Sequence, residues 1–310
     1  AFSLQIKQKL HQEQSAYQLL EIYQTETFGN LMVIDGCVML TQRDNFLYHE
    51  MMSHPALFTH PQPKKVVIIG GGVIGCSVAY HLAKLGWRDV VLLERKQLTS
   101  GTTWHAAGLI AQLRASANMT KMAKYSQELY GALEVETGVA TGFKRVGSIT
   151  AALTTERREE IFRQAAMARA FGVDVEEITP SEIGARYPHL NLDGVQAGVY
   201  LSKDGQGDPG NIALALAKGA RQNGALIQER VKAIGLKRKG RRITGVDWQA
   251  EDGAAGHIAC EMVVNCAGMW GHEVGRMLGV NVPLQACEHF YIVTEAIAGL
   301  KQLPVLRVPD

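Results

Sequence analysis

Three glycines, one acid and one histidine stand out for the chemistry their types and spacing allow. Gly70, Gly72 and Gly75 follow the pattern G-x-G-x-x-G. The first glycine permits a tight turn, the second lets backbone amides approach a pyrophosphate, and the third lets a helix pack closely on the preceding strand. Glu94 comes about 20 residues later, where a carboxylate accepts the hydroxyls of a ribose. Together these residues are a recipe for holding a dinucleotide through backbone groups and one acid. The bare glycine pattern also occurs in ordinary βα turns, so the surrounding elements have to support it.

They do so in order. Val66 to Ile69 is a run of four β-branched residues, suited to a strand buried on both faces of a parallel sheet. Cys76 to Leu85 continues as a helix whose N-terminal amides face the phosphate, and Gly86 ends it. Val90 to Leu93 forms a second buried strand closing on Glu94. The stretch Thr99 to Leu109 is rich in small and hydroxylated residues and places Thr102, Thr103, His105, Ala107 and Gly108 beside a bound cofactor. On its own, His105 reads as a polar loop residue satisfied by backbone. Further on, Ala225 to Val231 reads as a strand, with Val231 at its cofactor end, and Met262 to Cys266 as another buried strand. The latter leads into Ala267-Gly268-Met269-Trp270, a second glycine turn whose Ala267, Gly268 and Trp270 would approach the same dinucleotide. His289 to Glu295, HFYIVTE, reads as a strand.

Between these pieces the pattern is mixed α/β. Helices are expected over Leu113 to Thr137, from Thr154/Thr155 for about four turns, after Thr179-Pro180-Ser181-Glu182, and over Asn211 to Asn223. Strands are expected at Arg145 to Leu153 and Gly198 to Leu201, and a hairpin joins Ile243 to Trp248 with His257 to Cys260. The basic run Lys237 to Arg242 contains a glycine and reads as a solvated hairpin turn. A chain of 310 residues, 46% hydrophobic, can bury a large core. Its net charge of +2 implies no basic face for nucleic acid. Five cysteines without C-x-x-C spacing point to neither a disulfide framework nor a metal site, and fit a reducing compartment. No apolar run reaches the ~20 residues needed to cross a bilayer, and no leader pattern opens the chain, so the expected location is cytoplasmic.

Residues 1–62 differ in character and form a separate small β domain, with Pro61 and Pro63 marking the boundary. Strands are expected at Phe2 to Lys7, Gln18 to Tyr23, Leu31 to Ile34 and Cys37 to Leu40, with a turn at Asp35-Gly36 and a helix from Asp44 to His54. The phrases AFSLQIKQKLHQEQSAYQ, FGNLMVIDGCVMLTQRDNFLYHEMMSHPALFTHP and PKKVVIIGGG resemble the N-terminal domain of the spermidine synthases, the polyamine aminopropyltransferases, over about the first 72 residues. The resemblance implies that Gln18, Tyr48 and His49 correspond to residues near a nucleoside or polyamine, and that this domain makes subunit contacts in a homo-oligomer. It stops at Val73, where that family has an acid, and the later acidic motif supplying its catalytic aspartate is missing too.

Residues 63–310 form the second domain. The phrases VVIIGGGVIGCSVAYHLAKLGW, VLLERKQLTSGTTWHAAGL, ETGVATGFKRVGSI, YPHLNLDGVQAGVYLSKDGQGDP, VVNCAGMWGHEVGRMLGVNVPL and EHFYIVTE resemble the dimethylglycine and sarcosine dehydrogenase group of D-amino-acid-oxidase-like flavoproteins. The resemblance implies FAD as cofactor, a covalent bond between His105 and the flavin, and His289 and Tyr291 near the substrate as catalytic candidates. It implies oxidation of an N-methyl amine by hydride transfer to the flavin. The electron acceptor stays open among oxygen, a quinone and an electron-transfer flavoprotein. That fold continues into strands and a C-terminal glycine turn that would lie past Asp310, so an incomplete substrate-binding sheet is expected.

The expected architecture is thus α/β: a Rossmann-like FAD/NAD(P)-binding domain with a partial substrate-binding β-sheet domain, behind a small N-terminal β domain. The change of family falls within VVIIGGG, a segment that both patterns share, as in a chimera. Two other functions compete with amine oxidation. One is aminopropyl transfer, for which the acids are absent, and the other is a non-catalytic, flavoprotein-like regulatory role.

Overall fold

The computed structural model describes residues 5–14, 19–26, 30–34, 37–41, 64–295, 297–298, 300 and 302–308. The chain divides into two compact units, Ala1–Pro63 and Lys64–Asp310. In the first unit β1 (Ile6–Gln14), β2 (Leu19–Thr25), β3 (Asn30–Ile34) and β4 (Cys37–Thr41) form an antiparallel meander in the order β1-β2-β3-β4. Leu31 and Val33 are buried, and Val33 stands opposite the buried Glu21 in register. β1 runs to Gln14, well past the expected end at Lys7, because it pairs with β2 from Ile6 to Gln14. The Asp35-Gly36 turn, the Asp44 to His54 helix, Gln18, Tyr48 and His49 lie outside the described residues.

The second unit opens with β5 (Lys65–Ile69), α1 (Val73–Lys84) and β6 (Asp89–Glu94). Val66 to Ile69 are buried on both faces of the sheet, which accounts for a continuous apolar run where alternation would mark a half-exposed strand. After the two-residue β7 (Leu109–Ile110) come α2 (Ala117–Thr137), β8 (Ser148–Ala152) and α3 (Thr155–Ala170). Then follow β9 (Glu176–Ile178), α4 (Pro180–Arg186), β10 (Ala197–Leu201), β11 (Gly205–Gln206) and α5 (Pro209–Gln222). The remainder is β12 (Leu226–Glu229), β13 (Val231–Lys239), β14 (Arg242–Ala250), β15 (Ala255–Ala259), β16 (Met262–Asn265), α6 (Gly271–Arg276) and β17 (Val305–Arg307).

Two layered bodies result. A parallel sheet in the order β12-β6-β5-β16 packs on one face against the antiparallel sheet β13-β14-β15, through Val67, Ile69, Leu93, Ala233 and Val246. α1 and α5 pack against each other, and both contact strands of the parallel sheet. The other sheet, β17-β8-β10-β9, alternates its faces: Ala152, Val199 and Leu201 meet Ile161, Ala165 and Ala168 of α3, while Ile149 and Ala151 meet Ile183 of α4. The helix starts follow from the expected caps. Thr154 accepts from the Arg157 amide, and Thr179 with Glu182 forms a complete capping box.

Two expectations fail. The stretch His289 to Glu295 is not a strand; residues 280–295 carry no regular structure and 285–295 are exposed. A strand needs a neighbour to pair its amides, and the described residues offer none along this stretch. Likewise, Ala225 to Val231 is not one strand. It breaks at Arg230, whose φ of +60° is left-handed, into β12 of the parallel sheet and β13 of the antiparallel one. No helix among the described residues is long and apolar enough to cross a membrane.

Candidate cofactor site

β5 is flanked by β6 on one side and β16 on the other, so the chain leaves its carboxyl end at a point where the strand order reverses. Open parallel sheets bind ligands at such points. Both glycine turns sit there. Gly70 adopts φ +113°, donates its N–H to Leu93 O at 2.9 Å, and lies so close to Cys266 O that a Cβ would collide with it. The Cys266 N–H donates to Ile69 O at 2.8 Å, which locks the second turn against the first. A Cβ on Gly75 would strike Gly70 O, and one on Gly72 would lie 2.9 Å from Thr103 Oγ1.

This crowding is what a pyrophosphate cradle requires. Gly72 is the N-cap of α1 and has no side chain to cap its own helix; of the opening amides, the Val73 N–H donates to Thr103 Oγ1. The opening amides of a helix lack intrahelical partners, and their partial positive charge attracts an anion. Glu94 stands beside them. Its Oε2 accepts the Gly71 N–H at 2.7 Å and its Oε1 accepts the Lys96 N–H at 2.8 Å. Each carboxylate oxygen keeps acceptor capacity for a hydroxyl. Glycines that tolerate no side chain, a helix start with a glycine at its N-cap and an adjacent carboxylate fit the pyrophosphate and ribose of a dinucleotide.

The loop after β6 closes the third side. Leu98 N–H donates to Glu229 Oε2 at 2.9 Å, Thr99 N–H to Gly71 O at 2.9 Å, and Val73 N–H to Thr103 Oγ1 at 3.0 Å. Farther along, Gly207 N–H donates to Gly108 O at 2.9 Å. Pinned at these points, the loop holds out an exposed stretch, with a short 3-10 turn over Thr103–His105. The His105 ring stacks on Trp104 with centroids 3.6 Å apart, and its Nδ1 shares a 2.9 Å hydrogen bond with Tyr291 Oη. Trp270, from the second glycine turn, packs on Gly101 at 3.4 Å from a Cβ position, and the Arg95 guanidinium lies 4.1 Å from its ring centroid. Beneath the turns, burial pushes the Cys76 and Cys266 thiols up to about 12, so neither is a thiolate at neutral pH.

The structure therefore gathers Gly70, Gly72, Gly75, Glu94, Thr103, His105, Ala267, Gly268 and Trp270 at one end of the parallel sheet. Thr102 and Ala107 are exposed on the same loop, Thr102 Oγ1 lying 4.0 Å from a Cβ position on Gly268. Val231 begins β13 and packs on the cluster that holds Leu93, while its neighbour Arg230 donates N–H to Lys96 O at 2.7 Å. Tyr291 reaches the site through His105. His289 is exposed and makes no hydrogen bond among the described residues. Residues not singled out from the sequence also shape the site: Gly71 holds Glu94, Glu229 anchors the loop, and Arg95 and Trp104 stack on its rings. The run Gly70-Gly71-Gly72 was the one available signal for Gly71; the others depend on contacts between distant segments.

Comparison with known proteins agrees with this geometry. Residues 65–310 match the family described as FAD dependent oxidoreductase, and residues 1–42 match the spermidine synthase tetramerisation domain. The chain is 42% identical over 247 residues to rat (Rattus norvegicus) dimethylglycine dehydrogenase, covering 78% of this chain and 28% of that enzyme. It is 40% identical over 256 residues to human (Homo sapiens) sarcosine dehydrogenase, covering 81% and 27%. It is also 68% identical over 75 residues to the polyamine aminopropyltransferase of Alkalilimnicola ehrlichii, covering 24% and 26%. The chain thus spans about a quarter of the length of these relatives. Among solved structures, L-proline dehydrogenase from P. horikoshii superimposes with a TM-score of 0.64 at 29% identity, over 71% of this chain and 57% of that one. The chain belongs to the FAD-dependent oxidoreductase family and carries a spermidine-synthase-type N-terminal segment ahead of its cofactor fold.

Proposed function

We propose that this chain is the flavin-binding part of an FAD-dependent oxidoreductase acting on N-methyl amines of the sarcosine and dimethylglycine type, with His105 as the covalent attachment point. The observation that supports it most is the meeting of both glycine turns with the His105 loop at the carboxyl end of the parallel sheet. The opening amides of α1 hold the pyrophosphate, Glu94 accepts the ribose hydroxyls, and Thr102, Thr103, Ala107, Gly108 and Val231 line the approach, with Ala267, Gly268 and Trp270 on the opposite wall. Bound FAD supplies the acceptor for a hydride equivalent from the N-methyl carbon. Such a transfer requires the amine in its neutral form, and Tyr291 and His289 are the candidates for contacting its nitrogen or carboxylate.

The test is anaerobic mixing of the flavin-loaded chain with sarcosine or dimethylglycine. Loss of the visible flavin absorbance supports the reading. A flavin that no such amine reduces contradicts it and favours the non-catalytic role. Aminopropyl transfer is disfavoured by Val73, which opens α1 where that chemistry needs an acid. For the first unit we propose contacts with a second copy of the chain, since all of β1 is exposed. Light scattering on the full chain checks this, with a dimer or larger particle expected and a monomer contradicting it.

A further inference from the structure

We propose that Tyr291 is a positioning residue for His105: its hydroxyl accepts the Nδ1 proton of the imidazole and so leaves the Nε2 lone pair as the edge offered to the flavin. The proposal rests on the reading of His105 as the attachment point. Three observations carry it. Tyr291 Oη is 2.9 Å from Nδ1, within hydrogen-bond range. Trp104 lies against the ring face at 3.6 Å between centroids, so face and one edge are both engaged. Finally, Tyr291 and His105 are 186 residues apart in sequence, yet this contact brings segment 285–295, which pairs with no strand among the described residues, to the cofactor loop.

Which ring nitrogen carries the proton is set by the hydrogen bond the other one makes or lacks. A phenol oxygen can accept from Nδ1–H while its own O–H points to solvent, and Tyr291 is 56% exposed. Attachment would then balance. Nε2 would bond to a methyl carbon of the isoalloxazine as one C–H bond of that methyl breaks. The electron pair of that bond and the two protons released from the methyl and, through the Tyr291 hydroxyl, from Nδ1 would pass to the flavin. Dissolved oxygen, reduced to hydrogen peroxide, would reoxidise it.

The test compares the full chain with Tyr291→Phe and His105→Ala, using nitrogen-15-labelled histidine and FAD added to freshly purified protein. In the flavin-free chain, His105 is expected as the Nδ1–H tautomer, and Tyr291→Phe shifts it to Nε2–H. The rate at which flavin becomes acid-stable falls about fivefold in Tyr291→Phe, the effect of one lost hydrogen bond, while reversibly bound flavin is retained. An unchanged tautomer together with an unchanged attachment rate overturns the proposal, as does finding the Nε2–H form in the unmodified chain. If the unmodified chain holds flavin but never covalently, or His105→Ala attaches it equally well, the attachment reading fails. In that case the tautomer shift alone decides whether Tyr291 governs His105.

Discussion

The turn at Gly70–Gly72 and the stretch from His289 to Val293 both reach the loop that carries His105, and they are built in opposite ways. The turn is fixed by backbone: Gly70 is held between Leu93 and Cys266, and Val73 donates to Thr103. The stretch has no ladder among the described residues, with Phe290 90% and Ile292 91% exposed. Among the described residues its tie to the site is the contact between Tyr291 and His105. The cofactor side of the site is thus preorganised, while the side assigned to substrate rests on a single side-chain contact.

Substitutions that tell the two regions apart should differ in size. Gly70→Ala is expected to have the largest effect, because it meets both a left-handed φ and the Cys266 carbonyl. A loss of about 3 kcal/mol or more and of flavin binding should follow, read by thermal melting and flavin content. Retention of both would show that the turn is not the rigid element described. Thr103→Val removes the acceptor of the Val73 amide and is expected to cost about 1–2 kcal/mol, measured by denaturant unfolding.

A smaller effect is expected at Asp204, in the turn between β10 and β11. It accepts from Ser148 Oγ at 2.7 Å and the Gln112 amide at 2.9 Å, and burial pushes its carboxyl above the ordinary range. The folded state then keeps a proton that the unfolded chain has already lost, so this group's contribution to stability falls as pH rises from the unfolded value of 3.8 to the folded one. Asp204→Asn should remove that decline, seen as a difference between the two pH–stability profiles that grows across this window. The smallest effect belongs to Ile292→Ser, within about 0.5 kcal/mol of the parent on melting. A loss of about 2 kcal/mol would mean that the stretch is packed and the contrast false.

This contrast also explains what could be read from the chain alone. The βαβ unit was legible because its signals are local: a β-branched run, glycines at fixed spacing and an acid closing the next strand. The caps at Thr154 and Thr179 and the hairpin at Lys237 to Arg242 were legible for the same reason. HFYIVTE was misread because a run of aromatic and β-branched residues reports strand propensity and says nothing of whether a neighbour exists to pair it. The break at Arg230 and the full length of β1 depend on pairing with distant segments, as do the contacts of Glu229, Arg95 and Trp104. The role of Gly71 as a donor to Glu94 needed the fold to bring residues 23 positions apart together.

The most direct test of a flavin cradle closed by the His105 loop is the absorbance spectrum of the purified full chain, before and after acid precipitation. The account predicts a yellow protein whose colour stays with the precipitate and is absent from the precipitate of His105→Ala. A colourless chain that takes up no added FAD would contradict it.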